Sequence, residues 1–364
     1  MKMSKLILLY LFLKIISITL LILVLPDAFS SDRTTLSRDY FWYPDLTEHD
    51  YYYGSCSSSS PNFLYTLFIC WSGIESLSGY PTIIISFLLS TFRDIAIIWI
   101  AINKIKSNYF LLIGLVILLG IHPYLSYQHI RLTTDLFASL GLLLLFFYAY
   151  YDKRVNLFFI LTSCLLVGFR NSLVFPFLVF LLFNILFIKL SYKEKILYSI
   201  NSIGLLGIIL GFGAKTYSSL FLPGLHYGPY SFFAFKEYFE FLWQPISIFI
   251  SFLSVLISHT FFLLSTREYI IGYGFETILE TNFIGQVVSI AFIFIMLIVN
   301  AAGVYGTLKY FYSRNKMVIT IFSYVVPSFL IVAHIRYLYP LIPLLMLGLV
   351  LWLDIALKKS HNNI

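Results

Sequence analysis

The stretch GLLLLFFYAYYDKR, Gly141 to Arg154, decides the fold. Its first eleven residues are apolar or aromatic without interruption, and an acid and two bases follow at once. A strand of a membrane barrel would alternate lipid-facing and lumen-facing residues over about ten positions, and this run does not alternate. Backbone placed in hydrocarbon must satisfy its own N–H and C=O groups, which leaves helices and closed barrels as the only solutions. The run therefore predicts a helix, reaching back to residue 132. Asp152-Lys153-Arg154 marks its cytoplasmic end, because short loops on that side retain Lys and Arg.

The rest of the chain reads the same way. It is 60% hydrophobic and 11% charged, with a mean hydropathy of +0.89, whereas a soluble domain is about half apolar. The predicted class is all-α: a polytopic membrane protein, a single integral membrane domain over 1–364, with about 10–12 transmembrane helices since each needs roughly 18 or more apolar residues. The net charge of +7 does not point to nucleic acid, because the bases sit in short segments between apolar runs.

The N-terminal KMSKLILLYLFLKIISITLLILVLP, 2–26, exceeds the apolar region of a signal peptide, about 7–15 residues, and no small-x-small cleavage site follows at Ala28-Phe29-Ser30. A retained helix over 5–26 is expected, with Lys2, Lys5 and, further along, Lys14 anchoring its cytoplasmic start. It leads into an outer loop, 27–80, that contains YPDLTEHDYYYGSCSSSSPNF (43–63) and a short aromatic segment, 63–74, suited to the interface. Further spans are expected at 81–102, 109–122, 132–151, 155–168, 173–189 and 196–213. The basic segments 103–106, 152–154 and 189–195 lie inside, and HPYLSYQHIR (122–131) is read as an outer loop.

The second half is less regular. LPGLHYGPYSFFAFKEYFEF reads as a second outer or re-entrant segment, 214–242. Lys309, Arg314, Lys316, Lys358 and Lys359 belong inside, which puts Arg336 outside. Parity then requires that 243–264 be re-entrant or that 214–242 hide a crossing. Cys56, Cys70 and Cys164 have neither metal nor disulfide spacing.

The outer side collects the unusual residues: Asp50, His129, Arg131, Arg170, Arg336 and the aromatics around His226. A charge near a bilayer must be paired, wet or able to snorkel. Arg131 has Asp135 four residues on, so the two share a helix face and can pair; alternatively its planar guanidinium can hold a phosphate in two-point contact. His129 is either solvated or a proton donor near neutral pH. Arg170 interrupts LVGFRNSLVFPF where Asn and Ser alone would make a loop, which suits an anion ligand. Arg93 and Asp94 break the second span and, pointing in different directions, are expected to pair with other helices. Asp45, Glu48 and Asp50 are suited to a divalent metal, to general-base work or simply to water. Tyr51 to Tyr53 fit sugar stacking or the ordinary aromatic belt.

HDYYYG (Asp50, Tyr53), HIRLTTDLFASLGLLLL (Arg131, Ala138) and FRNSLVF (Phe169 to Phe175) together resemble the EpsG/Wzy group of bacterial polysaccharide polymerases, over about residues 45 to 190. Arg170 stands where that family commonly has histidine, and Arg131-Leu132 replaces an Arg-Gln pair. SPNFLYTL, the arginine turn before PFLVFLL, and RYLYPLIPLL also resemble GT-C glycosyltransferases, which use polyprenyl-phosphate sugars, and a GT-C-like architecture is expected. The resemblance implies polymerisation of lipid-linked repeat units at the outer face of the bacterial inner membrane, with the N-terminus cytoplasmic. Undecaprenyl diphosphate would be the leaving group, bound by Arg131, Arg170 and Arg336. Asp50 would be the base, with His129 behind it, and Glu48, Tyr53, Asp135 and His226 would face substrate. The implied partners are undecaprenyl-diphosphate-linked glycans, membrane lipid and a chain-length regulator, with no cofactor beyond a divalent metal, which stays open. A flippase for lipid-linked sugars is the non-enzymatic alternative.

Overall fold

The computed structural model describes residues 3–24, 64–65, 68, 80–105, 108–130, 134–151, 153–187, 190–208, 236–264, 283–311, 320–325 and 340–362. Among them the chain is helical, with no strand. The helices are α1 (Met3–Val24), α2 (Tyr80–Lys104), α3 (Tyr109–Ile121), α4 (Pro123–Ile130), α5 (Thr134–Tyr150), α6 (Leu157–Phe169), α7 (Val174–Phe187), α8 (Tyr192–Ile208), α9 (Gln244–Leu264), α10 (Phe283–Phe311) and α11 (Ile342–Asn362). By length and composition two stretches among the described residues qualify to cross a membrane, Met3–Leu20 and Ile83–Lys104.

Local chemistry sets several helix ends. Asn156 caps α6, its side chain accepting from the Phe159 amide at 2.9 Å, which satisfies one of the donors orphaned at a helix start. Ahead of α8, Ser191 and Glu194 form a reciprocal box. The Ser191 amide donates to Glu194 at 2.7 Å, and the Glu194 amide donates back to Ser191 Oγ at 3.4 Å. Such a box satisfies two orphaned donors at once. The Ser191 amide and hydroxyl, then the Arg154 guanidinium, hold the Glu194 carboxyl below its ordinary range. A lowered carboxyl contributes stability above its unfolded value and loses it as pH falls. Amide protection over the first turn of α8, taken relative to the intrinsic exchange rate at each pH, should therefore fall as the pH drops below about 4, the ordinary glutamate value, and Glu194→Gln should remove that loss of protection.

Side-chain contacts give the direction of each packed pair. Arg93 of α2 meets Ser139 of α5, and Lys104 lies 4.8 Å from the centre of the Tyr150 ring, so α2 and α5 run parallel. Tyr148 donates to Asn156 at 2.9 Å while Phe137 stacks on Phe169 at 4.2 Å, so α6 returns antiparallel. Arg154 pairs with Glu194 and Ser163 donates to Asn201, which makes α8 parallel to α6. Gly303 packs on Leu345 and Gly306 on Leu349, so α10 and α11 are parallel, and Tyr310 reaches Tyr150 at 3.1 Å. Lys104, Lys153, Arg154, Lys309 and Lys358 consequently gather at one end of the bundle.

The surface is apolar and part of the interior is polar. Along α1, Leu8, Phe12, Ile15 and Leu20 are exposed while Tyr10 and Lys14 are fully buried. On α2, Ile84, Leu88 and Phe92 face out, and Ser86, Ser90, Arg93 and Asp94 face in. The hydrophobic core, from Leu115, Val116 and Leu119 through Leu142 and Phe146 to Phe177 and Leu347, fills the space between these faces.

Two expectations do not hold. The segment at 122–131 is not an outer loop: residues 123–130 form α4, which packs against both α1 and α2 and buries Leu125, Ser126, Gln128 and His129. Pro123 is tolerated in its first turn, where no helical donor is required. Its polar residues look like those of a solvated loop but are turned inward. Lys14 is likewise no cytoplasmic anchor, being wholly enclosed.

Candidate functional site: two buried polar clusters

Helix α3 stops at Ile121, and α4 starts after a single extended residue, His122. A break of this kind leaves carbonyls without helical partners at the negative pole of the first helix. Side chains from α1 supply the donors. Lys14 Nζ donates to Leu119 O at 2.6 Å and to Ser126 Oγ at 3.2 Å, and Ser17 Oγ reaches Ile121 O at 3.5 Å. At the end of α4, Ser86 and Ser90 from α2 both donate to Gln128 O, at 2.5 and 3.2 Å. The broken helix is thus held from both sides by hydroxyls and one ammonium.

Next to it lies a charged cluster. Arg93 Nε donates to Asp94 Oδ1 at 2.8 Å. Arg93 Nη1 donates to Gln128 Oε1 at 2.5 Å, with Ser139 Oγ at 3.4 Å. Asp94 Oδ2 accepts from Tyr10 Oη at 2.8 Å, and Tyr10 Oη also contacts His129 Nε2 at 2.9 Å. His129 Nδ1 donates to Leu125 O at 2.6 Å, and Phe87 presents its edge to the ring. Arg93 and Asp94, expected to turn to separate partners, bond each other as well as α1, α4 and α5. The arginine stem is long enough to fold back on its neighbour. Arg93 lies about 16 Å up α2 from Lys104, at 1.5 Å per residue, so this cluster sits half-way along α2, at mid-depth in the helix bundle.

The second cluster is nearer the end opposite the bases. The backbone turns extended at Arg170, which closes α6, and a 3₁₀ turn, Asn171–Leu173, follows. Arg170 is 8% exposed. Its Nη1 donates to Thr134 Oγ1 at 2.8 Å, its Nε to Ser172 Oγ at 3.2 Å, and its Nη2 lies 3.4 Å from Asp135 Oδ1. Asp135 is in the first turn of α5, where a helix favours negative charge, and is buried rather than in a loop. Its charge partner among the described residues is Arg170; Arg131, the partner expected from spacing, lies outside them. Asp135 and Ser139 are one turn apart on α5, and Ser139 contacts Arg93, so the two clusters are joined.

Of the residues expected to form a site, the structure brings Arg170 and Asp135 together and places His129 in the mid-depth cluster. Glu48, Asp50, Tyr53, Arg131, His226 and Arg336 lie outside the described residues, as do the loop acids suited to a metal. Among the described residues no three His, Cys, Asp or Glu side chains converge as a metal site would require. Tyr10 and Gln128 have no role in the sequence reading, and Lys14 has only that of an anchor. Their signal was available: Tyr10, Lys14 and Ser17 recur at helical spacing, with a charge inside an apolar run, which marks function or a buried partner. No protein-family model matches the chain, and neither curated proteins nor solved structures contain a significant match to it.

Proposed function

We propose that the chain is a multi-pass protein of the bacterial inner membrane that polymerises lipid-linked oligosaccharide units by glycosyl transfer at the outer face. An apolar surface around a polar interior, and bases gathered at one end, support the membrane reading. The observation that carries the site is Arg170, enclosed at the non-basic end beside the Thr134 and Ser172 hydroxyls and the Asp135 carboxylate. A leaving diphosphate gains negative charge as the glycosidic bond breaks. A fixed guanidinium that binds it more strongly at that moment lowers the barrier. To do so Arg170 would exchange its contact with Asp135 for phosphate oxygens, and Asp135 would keep the side chain aimed until substrate arrives. The acceptor hydroxyl needs a base or tight positioning, the role given to Asp50.

A second reading, a flippase for the same lipid-linked sugars, is favoured by the mid-depth cluster. Ionisable groups at that depth, next to a broken helix, are common where a substrate or coupling ion crosses. Deleting the gene and running the surface glycan on a gel separates the readings. Loss of a polymerase leaves single repeat units, loss of a flippase abolishes the glycan, and loss of a one-sugar GT-C transferase alters each unit. Complementation with Arg170→Ala at normal expression should give shortened chains. Full-length polymer from that variant removes Arg170 from the mechanism.

A further inference from the structure

We propose that Tyr10, Asp94 and His129 form a binding site for one exchangeable proton at mid-depth between α1, α2 and α4. Three contacts run in series: Leu125 O to His129 Nδ1 at 2.6 Å, His129 Nε2 to Tyr10 Oη at 2.9 Å, and Tyr10 Oη to Asp94 Oδ2 at 2.8 Å. Each lies within hydrogen-bond distance, and each needs its own proton. A carbonyl only accepts, so the first proton is on Nδ1. A neutral histidine then has none on Nε2, an ionised aspartate has none at all, and tyrosine has one. Two protons cannot fill three bonds. The series closes only when one more is added.

The added proton has two resting places. On His129 it makes an imidazolium that donates to Tyr10, which donates to the Asp94 carboxylate. On Asp94 it makes a carboxylic acid that donates to Tyr10, which donates to His129 Nε2. Shifting two protons along the series interconverts these states without moving a heavy atom. When the added proton leaves, one contact to Tyr10 has to open, either that from His129 of α4 or that to Asp94 of α2, while Lys14 on Ser126 and Ser86, Ser90 and Arg93 on Gln128 keep α4 tied to α1 and α2.

The charged and titratable surroundings are Lys14 on α1 beside Tyr10, Arg93 on α2 and His122 at the α3–α4 break, with Ser139 as the nearest polar group of α5. Arg93 matches the Asp94 carboxylate. Lys14 is a neighbouring proton source: its two acceptors, Leu119 O and Ser126 Oγ, need two N–H groups, and a neutral amine supplies both. Passing its third proton to His129 would leave the cluster's total charge unchanged.

The test uses the full-length protein in lipid nanodiscs, labelled with ¹⁵N-histidine, with the His129 signal assigned through His129→Gln. Between about pH 5 and 8, the range of histidine switching, the nitrogen spectrum should show a His129 imidazolium, or the infrared spectrum a protonated-carboxyl band that Asp94→Asn removes. Acidifying unbuffered protein against an indicator dye should show Tyr10→Phe taking up one proton fewer than the wild type. A His129 that stays neutral with Asp94 ionised throughout overturns the proposal. So does unchanged proton uptake in a folded Tyr10→Phe protein. If that variant fails to fold, the wild-type spectra decide.

Discussion

Asp94→Ala should destabilise the purified protein by about 3–5 kcal/mol, the cost of leaving one partner of a buried ion pair uncompensated. Asp94 is fully buried and accepts from Arg93 and from Tyr10. Its removal strands a guanidinium that has no carboxylate within bonding distance among the described residues and takes an acceptor from Tyr10. The double variant Arg93→Met, Asp94→Leu should recover most of the loss, because an apolar pair of similar volume avoids burying charge. Thermal unfolding in one detergent or nanodisc composition measures both. A loss under about 1 kcal/mol for the single variant, the range of an exposed pair, would show that water reaches Arg93.

Gly306→Ala should cost about 1–3 kcal/mol, the usual penalty for overpacking a tight interior, and Gly306→Leu more. A Cβ at Gly306 would stand 2.6 Å from Leu349 Cα and 3.1 Å from its amide nitrogen. Those are backbone atoms, which cannot rotate away, so the parallel α10–α11 pair would have to separate. Small residues at such crossings let helices approach closely where lipid offers no competing hydrophobic drive. Gly114→Ala is the control: nothing lies within 4 Å of its added carbon, and removing a helical glycine lowers backbone entropy in the unfolded chain. Its stability should equal or exceed that of wild type. Equal losses at positions 306 and 114 would mean that the close packing of α10 on α11 contributes little.

Most helix positions were legible from apolar runs. Spans expected at 81–102, 109–122, 132–151 and 155–168 correspond to α2, α3, α5 and α6. Arg170 was legible as well, because an arginine between two apolar runs has few cheap explanations. The pairing of Asp135 was not. Spacing on one helix suggested Arg131, which lies outside the described residues; the fold brings Arg170 to Asp135 from the end of a different helix, which no local spacing records. Helix α4 was missed for a related reason. Its sequence, PYLSYQHI, is polar enough for a loop, and only its place between α1 and α2 gives those polar groups internal partners.

Composition and the lengths of apolar runs determined by themselves that this chain is helical and where most of its helices lie, because backbone in an apolar setting must bond to itself within each segment. Which charges meet was decided only by tertiary structure. Tyr10 and Lys14, Arg93 and Asp94, and Ser126 and His129 come from three separate parts of the sequence. A buried polar group must find a partner wherever the packing offers one, and no local pattern records which helix will supply it.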